Sequence, residues 1–394
     1  MEKFITTKEA SEKWDISSRR INVLCKSGRI SGAYKENNQW FIPADAVKPA
    51  DKRLKEGGLV FEDQAKRTNR AGSIARSASQ LRKAGANQSA RKLPLPIGIS
   101  DYRKASSEYY YVDKTLLIRD FIDERPQVSL FTRPRRFGKT LNMDMLRVFF
   151  ERSKEDTSVY FQDKKIWGCG KEYREYQGKY PVIYVTFKDV KCEDWEEAYD
   201  LIYKILRNEI ERHSELLTSD RISFYEKKYL TSMLNGEANE NDVAFAFLNL
   251  SRMLHTHYNV APIIIIDEYD TPIQQGHVRG YYDKTIDFMR TLFSGGLKDN
   301  PHLSYGFLTG ILRVAKESIF SGLNNLKINS ILDNRYSEYF GFTSEEVLEM
   351  AEYYEASEKY EELCDWYDGY RFGKTELFIA WSVIGYFNNE CIPR

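Results

Sequence analysis

The 394-residue chain has no excess charge of either sign, because 58 lysines and arginines are cancelled by 58 aspartates and glutamates. Global electrostatic attraction to nucleic acid is thereby excluded, and any such contact must come from local clusters. Paired cysteines are also missing. The five present, Cys25, Cys169, Cys192, Cys364 and Cys391, are odd in number, scattered and without a CxxC pair. That pattern excludes a disulfide framework and a structural zinc site, and it fits a reducing compartment. Long apolar runs are absent too: the longest aliphatic block, residues 263–266, cannot span a bilayer, and the opening "MEKFITTKEASEKW" lacks the apolar stretch of a signal peptide. A soluble, cytoplasmic protein is expected.

What is there divides into three regions. In residues 1–48, Thr6 and Glu9 have capping-box spacing, so a helix should begin there. "DISSRRINVLCKSGRI" offers Ser17 as a second N-cap, apolar Ile21 and Leu24 on one face, and Gly28 as the stop. The polar turn from Glu36 to Gln39, between Tyr34 and the apolar Trp40, Phe41 and Ile42, predicts a small hairpin or wing. These residues resemble the MerR/excisionase type of winged helix-turn-helix. That likeness implies contact with double-stranded DNA through Ser18, Arg19, Arg20 and Asn22 on the second helix and Lys35 on the wing. The alternative is a small protein-interaction module whose arginines are merely solvated.

Residues 49–92 are poor in large apolar side chains and build no core. From Gln64 to Lys92 there is no acidic residue, while Lys66, Arg67, Arg70, Arg76, Arg82, Lys83, Arg91 and Lys92 are all basic. The expectation is a flexible basic linker, either a plain solvated tether or a source of salt-sensitive phosphate contacts.

Residues 93–394 alternate short β-branched or aromatic runs ("QVSLFT", "PVIYVTF", "APIIIID", "LSYGFLTG") with longer amphipathic segments. This predicts a doubly wound α/β domain on a parallel sheet, with ligands at the carboxyl ends of the strands. The pentapeptide "RFGKT" occurs twice, at 136–140 and at 371–375. The first copy follows a buried strand and precedes a helix with Leu141, Met145 and Val148 on one face. This is the strand-loop-helix context of a phosphate-binding loop, with Lys139 on phosphate oxygens and the Thr140 hydroxyl on Mg²⁺. The second copy follows "CDWYDGY", has no aliphatic strand behind it, and reads as an ordinary turn. Arg133 stands where the general loop pattern has glycine, so the loop should wrap differently at its start. Arg133, Arg135 and Arg136 are then free either to face phosphates or to meet acids and solvent.

"PIIIIDEYD" ends an aliphatic strand on Asp267 and Glu268, a Walker B arrangement in which the aspartate orients Mg²⁺ and the glutamate polarises the attacking water. Thr309, at the end of "LSYGFLT", is placed to sense a γ-phosphate. Arg313 is a weaker candidate for stabilising transition-state charge.

With "LPIGISDY", "YYYVDKT", "LFTRPRRFGKTLNMDML", "IIIIDEYDTPI", "GFLTGILRVAKESIFSGLNNL" and "WYDGYRFG" in view, the chain from about Leu93 onward resembles the bacterial and archaeal AAA-ATPase-like family. The family's phosphate loop itself reads Arg-Pro-Arg-Arg-Phe-Gly-Lys, which accounts for the missing glycine. The resemblance implies a P-loop ATPase core of the additional-strand class that uses ATP and Mg²⁺. Nucleotide contacts fall on Arg133, Arg135, Arg136, Phe137, Gly138, Lys139 and Thr140, metal on Thr140 and Asp267, and catalysis on Glu268, Thr309 and Arg313. Members usually continue into a PD-(D/E)XK nuclease-like domain. This chain stops at Arg394, which reads as a shortened product, and its "LFIAWSV" departs from the Tyr-Asn-Pro-Trp that often follows the WYDGY box.

His255 and His257 have a spacing that ligates metal from a strand, but no third ligand is near, and Asp113 is placed to cap a helix. Tyr109, Tyr110, Tyr111, Tyr367 and Tyr370 read as core or half-buried surface. The leading expectation is an Mg-ATP-hydrolysing module coupled to a DNA-binding head. Its rival is a DNA-binding regulator in which the P-loop domain is a nucleotide switch or an inactive interaction module.

Overall fold

The computed structural model describes residues 4–14, 21, 25, 30–36, 39–48, 92–311, 319, 324–367 and 369–393. The chain divides into two compact units, Met1–Ala90 and Arg91–Arg394.

In the first unit, β1 (Phe4–Thr6) leads directly into α1 (Thr7–Trp14), and β2 (Tyr34–Glu36) returns as β3 (Gln39–Pro43). The three strands form an antiparallel sheet in the order β1-β3-β2. The expected capping box is present: the Glu9 carboxylate accepts from the Thr6 N–H at 2.7 Å, and the Glu9 N–H donates to the Thr6 hydroxyl at 3.3 Å. Ala10, Trp14, Ile21, Cys25, Ile30 and Ile42 form a small core. Ile21 and Cys25 are helical and buried, four residues apart as a helix face requires. Lys35 is exposed on β2. Ser18, Arg19, Arg20 and Asn22 lie outside the described residues, as do Ser17, Leu24, Gly28 and the basic stretch up to Arg91.

The second unit is an α/β domain on a five-stranded parallel sheet. Its strands are β4 (Val128–Thr132), β5 (Val182–Thr186), β6 (Ile263–Asp267), β7 (Tyr305–Gly310) and β8 (Leu326–Asn329), in the order β5-β6-β7-β4-β8. Strand β7 therefore stands between β4, which leads into the first RFGKT, and β6, which ends on Asp267. Every residue of β4 and β6 is buried, as expected of strands covered on both faces. Successive side chains divide between two cores. Leu130, Ile264, Ile266 and Leu308 face one, Phe131, Ile263, Ile265 and Phe307 the other.

Helices α2 (Tyr102–Glu108), α3 (Leu116–Glu124) and α4 (Lys139–Phe150) pack in the second of these cores. Helices α5 (Trp195–Arg212), α6 (Ala246–Tyr258), α7 (Thr271–Arg279) and α8 (Tyr282–Leu297) pack in the first. Helix α4 is buried more completely than one apolar face would need, because Asn142 and Asp144 are enclosed along with Met143, Met145, Leu146, Val148, Phe149 and Phe150. Asp144 accepts from the Tyr102 N–H at 2.7 Å and so ties α2 to α4.

At the β5 edge of the sheet, the Tyr184 N–H donates to Glu209 of α5 at 2.8 Å. Arg212 and His213 contact the Val182 carbonyl. These contacts block pairing of that edge with another chain.

A third core, built on Phe342, Val347, Met350, Leu363, Phe378 and Val383, joins α9 (Ser344–Tyr353), α10 (Tyr360–Tyr367) and α11 (Ala380–Asn388). The second RFGKT is a hairpin between β9 (Tyr370–Phe372) and β10 (Thr375–Leu377), with Phe372 opposite Thr375 and Gly373 and Lys374 at the turn. Its reading as a turn holds. No described helix is long and apolar enough to cross a membrane.

Candidate nucleotide site

Strand β4 ends at Thr132 and α4 begins at Lys139, so residues 133–138 wrap over the carboxyl end of the sheet. Gly138 caps α4 in the left-handed region at φ 80°, where a side chain would be strained. Arg136 also has φ 70°, an uncommon conformation for a residue with a Cβ. The loop leads into the positive end of a 12-residue helix, the usual place for an anion.

Lys139 is buried, and its ammonium lies 3.2 Å from the Pro134 carbonyl. Burial pulls its pKa down from the ordinary 10.5, while Glu268, Asp267 and Asp270 oppose that shift. From the neighbouring helix position, the Thr140 hydroxyl donates to Asp267 Oδ2 at 2.7 Å. The other oxygen of Asp267 accepts from the Thr309 hydroxyl at the end of β7. Asp267 is fully buried, and burial pushes its carboxyl above the ordinary 3.8, against the two hydroxyl hydrogen bonds. Strand order explains why these residues meet. Because β7 lies between β4 and β6, Thr309 reaches Asp267 from the adjoining strand, and Thr140 reaches it from the start of α4.

Glu268 follows Asp267 with φ 52°, so the chain leaves β6 through a left-handed turn. That turn is held by the Tyr269 N–H, which donates to the Thr309 carbonyl at 3.0 Å. The Thr271 hydroxyl donates to the Glu268 carboxylate at 3.1 Å. Two non-glycine residues with positive φ, Arg136 and Glu268, thus border one cavity, a placement in which backbone strain commonly marks function.

The cavity measures about 330 Å³. Arg135, Arg136, Gly138, Lys139, Thr140 and Glu268 line its polar end. Arg135, Arg136 and Gly138 are exposed.

Arg133 is elsewhere. It is fully buried, and its guanidinium donates to the carbonyls of Asn329 at 2.6 Å, Thr132 at 3.0 Å and Tyr336 at 3.4 Å. It also lies over the rings of Phe340 and Phe372. Burial lowers its pKa to about 10, against the pull of Asp333. Its expected phosphate contact is therefore corrected, because this arginine joins the ends of β4 and β8 from inside. Phe137 is likewise buried, packed on Tyr370 and Phe372, although it touches the cavity wall. Arg313 lies outside the described residues.

Several lining residues were not read from the sequence. Lys114, in the YVDKT stretch, is buried in the wall and ion-paired with Glu346 at 2.5 Å. Burial lowers its pKa, and Glu346 opposes that. Tyr339, Gly341 and Trp381 come from far along the chain. The Gly341 N–H donates to the Phe137 carbonyl at 3.0 Å, and a Cβ at Gly341 would stand 2.8 Å from the Phe137 ring, so only glycine permits this approach. Asp113 accepts from the Thr115 N–H at 2.8 Å and from the Lys165 N–H at 2.6 Å; the cap position of α3 is Thr115, which makes no side-chain cap bond, so Asp113 braces the turn before the helix and is not the expected cap.

His255 faces His302 at 3.0 Å rather than His257, which faces Ser219. Among the described residues no three His, Cys, Asp or Glu side chains gather to hold a metal. The Thr140–Asp267 pair does fit Mg²⁺, a hard cation that keeps most of its ligands as water and phosphate oxygens.

The family model described as Predicted AAA-ATPase matches residues 96–320, more than half of the chain. The chain belongs to the AAA-ATPase-like family. An uncharacterized protein from the vnfD 5′ region of Azotobacter chroococcum mcd 1 is 30% identical over 299 residues, which is 75% of this chain and 52% of that protein. The chain spans about half the length of that relative. No solved structure matches. For this family member, the matched region holds the phosphate-loop candidate, Asp267, Glu268 and Thr309, while the cavity wall at 339–384 lies beyond it.

Proposed function

We propose that the cavity binds Mg-ATP and hydrolyses its γ-phosphate. One observation carries this reading: the 2.7 Å hydrogen bond between Thr140 and Asp267, which brings a P-loop threonine and a Walker B aspartate to the place where a phosphate-bound cation is needed. The Lys139 ammonium and the N–H groups at the start of α4 bind phosphate oxygens, and Arg135 and Arg136 add charge from the rim. Thr140 and Asp267 hold Mg²⁺, which when bound neutralises phosphate charge. Glu268 orients the attacking water, and Thr309 positions Asp267 through its hydroxyl. The strand order, with β7 between β4 and β6, supports the additional-strand class of P-loop ATPase.

Equilibrium binding of labelled Mg-ATP tests the site. Lys139→Ala should abolish binding and Lys374→Ala should leave it intact. Equal loss in both variants would contradict the assignment.

The proposal extends to the first 48 residues as a head that binds double-stranded DNA, carried by the basic tether 49–92. The capping box at Thr6 and Glu9 and the exposed Lys35 on a short antiparallel hairpin support it. Fluorescence anisotropy with a labelled duplex should show salt-sensitive binding that Arg19→Ala and Arg20→Ala weaken. Affinity indifferent to both substitutions would favour a protein-interaction head.

A further inference from the structure

The cavity is chemically divided. Pro96, Ile99, Tyr110, Met350 and Ile384 give the rest of the lining a mostly apolar surface, and the Lys114 ammonium among them is already ion-paired with Glu346. Trp381 is half exposed. Its main chain is tied to the phosphate loop, because the Trp381 backbone N–H donates to the Arg136 carbonyl at 3.4 Å. The Arg136 guanidinium lies 4.3 Å from the centre of the same indole. An arginine suited to phosphate and an indole suited to an aromatic ring are thus stacked on each other at the boundary between the two ends.

We infer that the apolar end is the base slot of the nucleotide site, with Trp381 as the stacking platform for a purine. The inference rests on the phosphate site proposed above. A nucleoside triphosphate has the same polarity as the cavity, charged at one end and flat and weakly polar at the other. Bound in this sense, its phosphates meet Lys139 and Thr140 while its base covers the apolar wall. Arg136 leaves the indole for the phosphates as the base takes its place, an exchange that keeps the ring covered in both states. Of the slot's lining, Met350, Trp381 and Ile384 lie outside the matched family region, whereas Pro96, Ile99 and Tyr110 lie within it.

Affinities for Mg-ATP and for magnesium tripolyphosphate, which has the phosphates without the base, separate the two ends. Wild-type protein should bind ATP more tightly than tripolyphosphate. Trp381→Ala should weaken ATP about tenfold and leave tripolyphosphate within about twofold, since an aromatic platform acts only on a base. Trp381→Phe, which keeps a ring, should recover most of the ATP affinity and guards against a folding defect. Loss of ATP and tripolyphosphate in equal measure, or no loss of ATP in Trp381→Ala, overturns the slot. Wild-type protein that binds tripolyphosphate as tightly as ATP also overturns it and leaves the phosphate site standing. Protein that binds neither ligand overturns both.

Discussion

Phe137 and Phe372, the same residue of two identical pentapeptides, pack with ring centroids 5.0 Å apart. The first copy is a loop that wraps a cavity, and the second is a hairpin that braces it. Identical sequence takes two conformations because the first is preceded by a buried strand and followed by a buried helix, whereas the second has only a short antiparallel partner. Phe372→Ala should cost about 3–5 kcal/mol by opening a hole under the loop. It should also weaken ATP binding, although the substituted side chain is not part of the polar cavity lining. Lys374→Ala, on the exposed turn of the same hairpin, should change neither property. Chemical denaturation and ATP affinity measured on both variants check this.

Arg133 should matter to stability rather than to phosphate. Replacing it with alanine leaves the carbonyls of Asn329 and Thr132 without their donor and opens a cavity between Phe340 and Phe372. The expected loss is about 3–5 kcal/mol. Arg135→Ala should leave stability unchanged. Urea denaturation distinguishes them, and equal stability of the two variants would contradict the buried role.

The Thr140 hydroxyl donates to Asp267, so its removal should act through the metal. Thr140→Ala should raise the Mg²⁺ concentration needed for ATP binding about tenfold or more, and Thr140→Ser, which keeps the oxygen, should stay near wild type. A magnesium titration at fixed ATP reads this directly. Asp267 adds a pH dependence of known sign. Its pKa is raised by burial, so the carboxylate proposed to bind the cation is lost on acidification at a higher pH than the ordinary 3.8.

At the edge of the sheet, His213 lies 3.4 Å from Glu209 and 3.5 Å from Glu215, with Arg212 beside it. Burial works to lower its pKa, but the two carboxylates prevail and the net shift is upward from 6.5. Its stabilising contribution is therefore complete below pH 6.5 and is lost as pH rises through the folded value. Glu215, opposed by burial but held by His213, falls from 4.5 to about 2, so its contribution is present above pH 4.5 and is lost as pH falls toward 2. Melting temperature should peak between these limits. His213→Gln should flatten the decline above pH 6.5, and superimposable profiles would contradict this.

Four of the five parallel strands were legible in the sequence because their runs are long, β-branched and buried on both faces. Strand β8, "LKIN", escaped because its first three residues are only partly buried and include a lysine. The strand-loop-helix at 128–150 and the strand that ends on Asp267 were legible from local context, since each pattern carries its backbone geometry with it. The interior position of Arg133 was not, because it depends on carbonyls of Asn329 and Tyr336, about two hundred residues away. Trp381 was hidden for the same reason. It sits in "LFIAWSV", noted only as a departure, and acquires a place at the cavity when α11 folds against the phosphate loop.

The measurement that bears most directly on the account is single-turnover phosphate release from Mg-ATP by wild type and Glu268→Gln, with ATP binding measured on the same samples. The account predicts that Glu268→Gln binds ATP as wild type does and releases phosphate at least about a hundredfold more slowly. Phosphate release at the wild-type rate by Glu268→Gln, or none by wild-type protein that binds ATP, would contradict hydrolysis at this site.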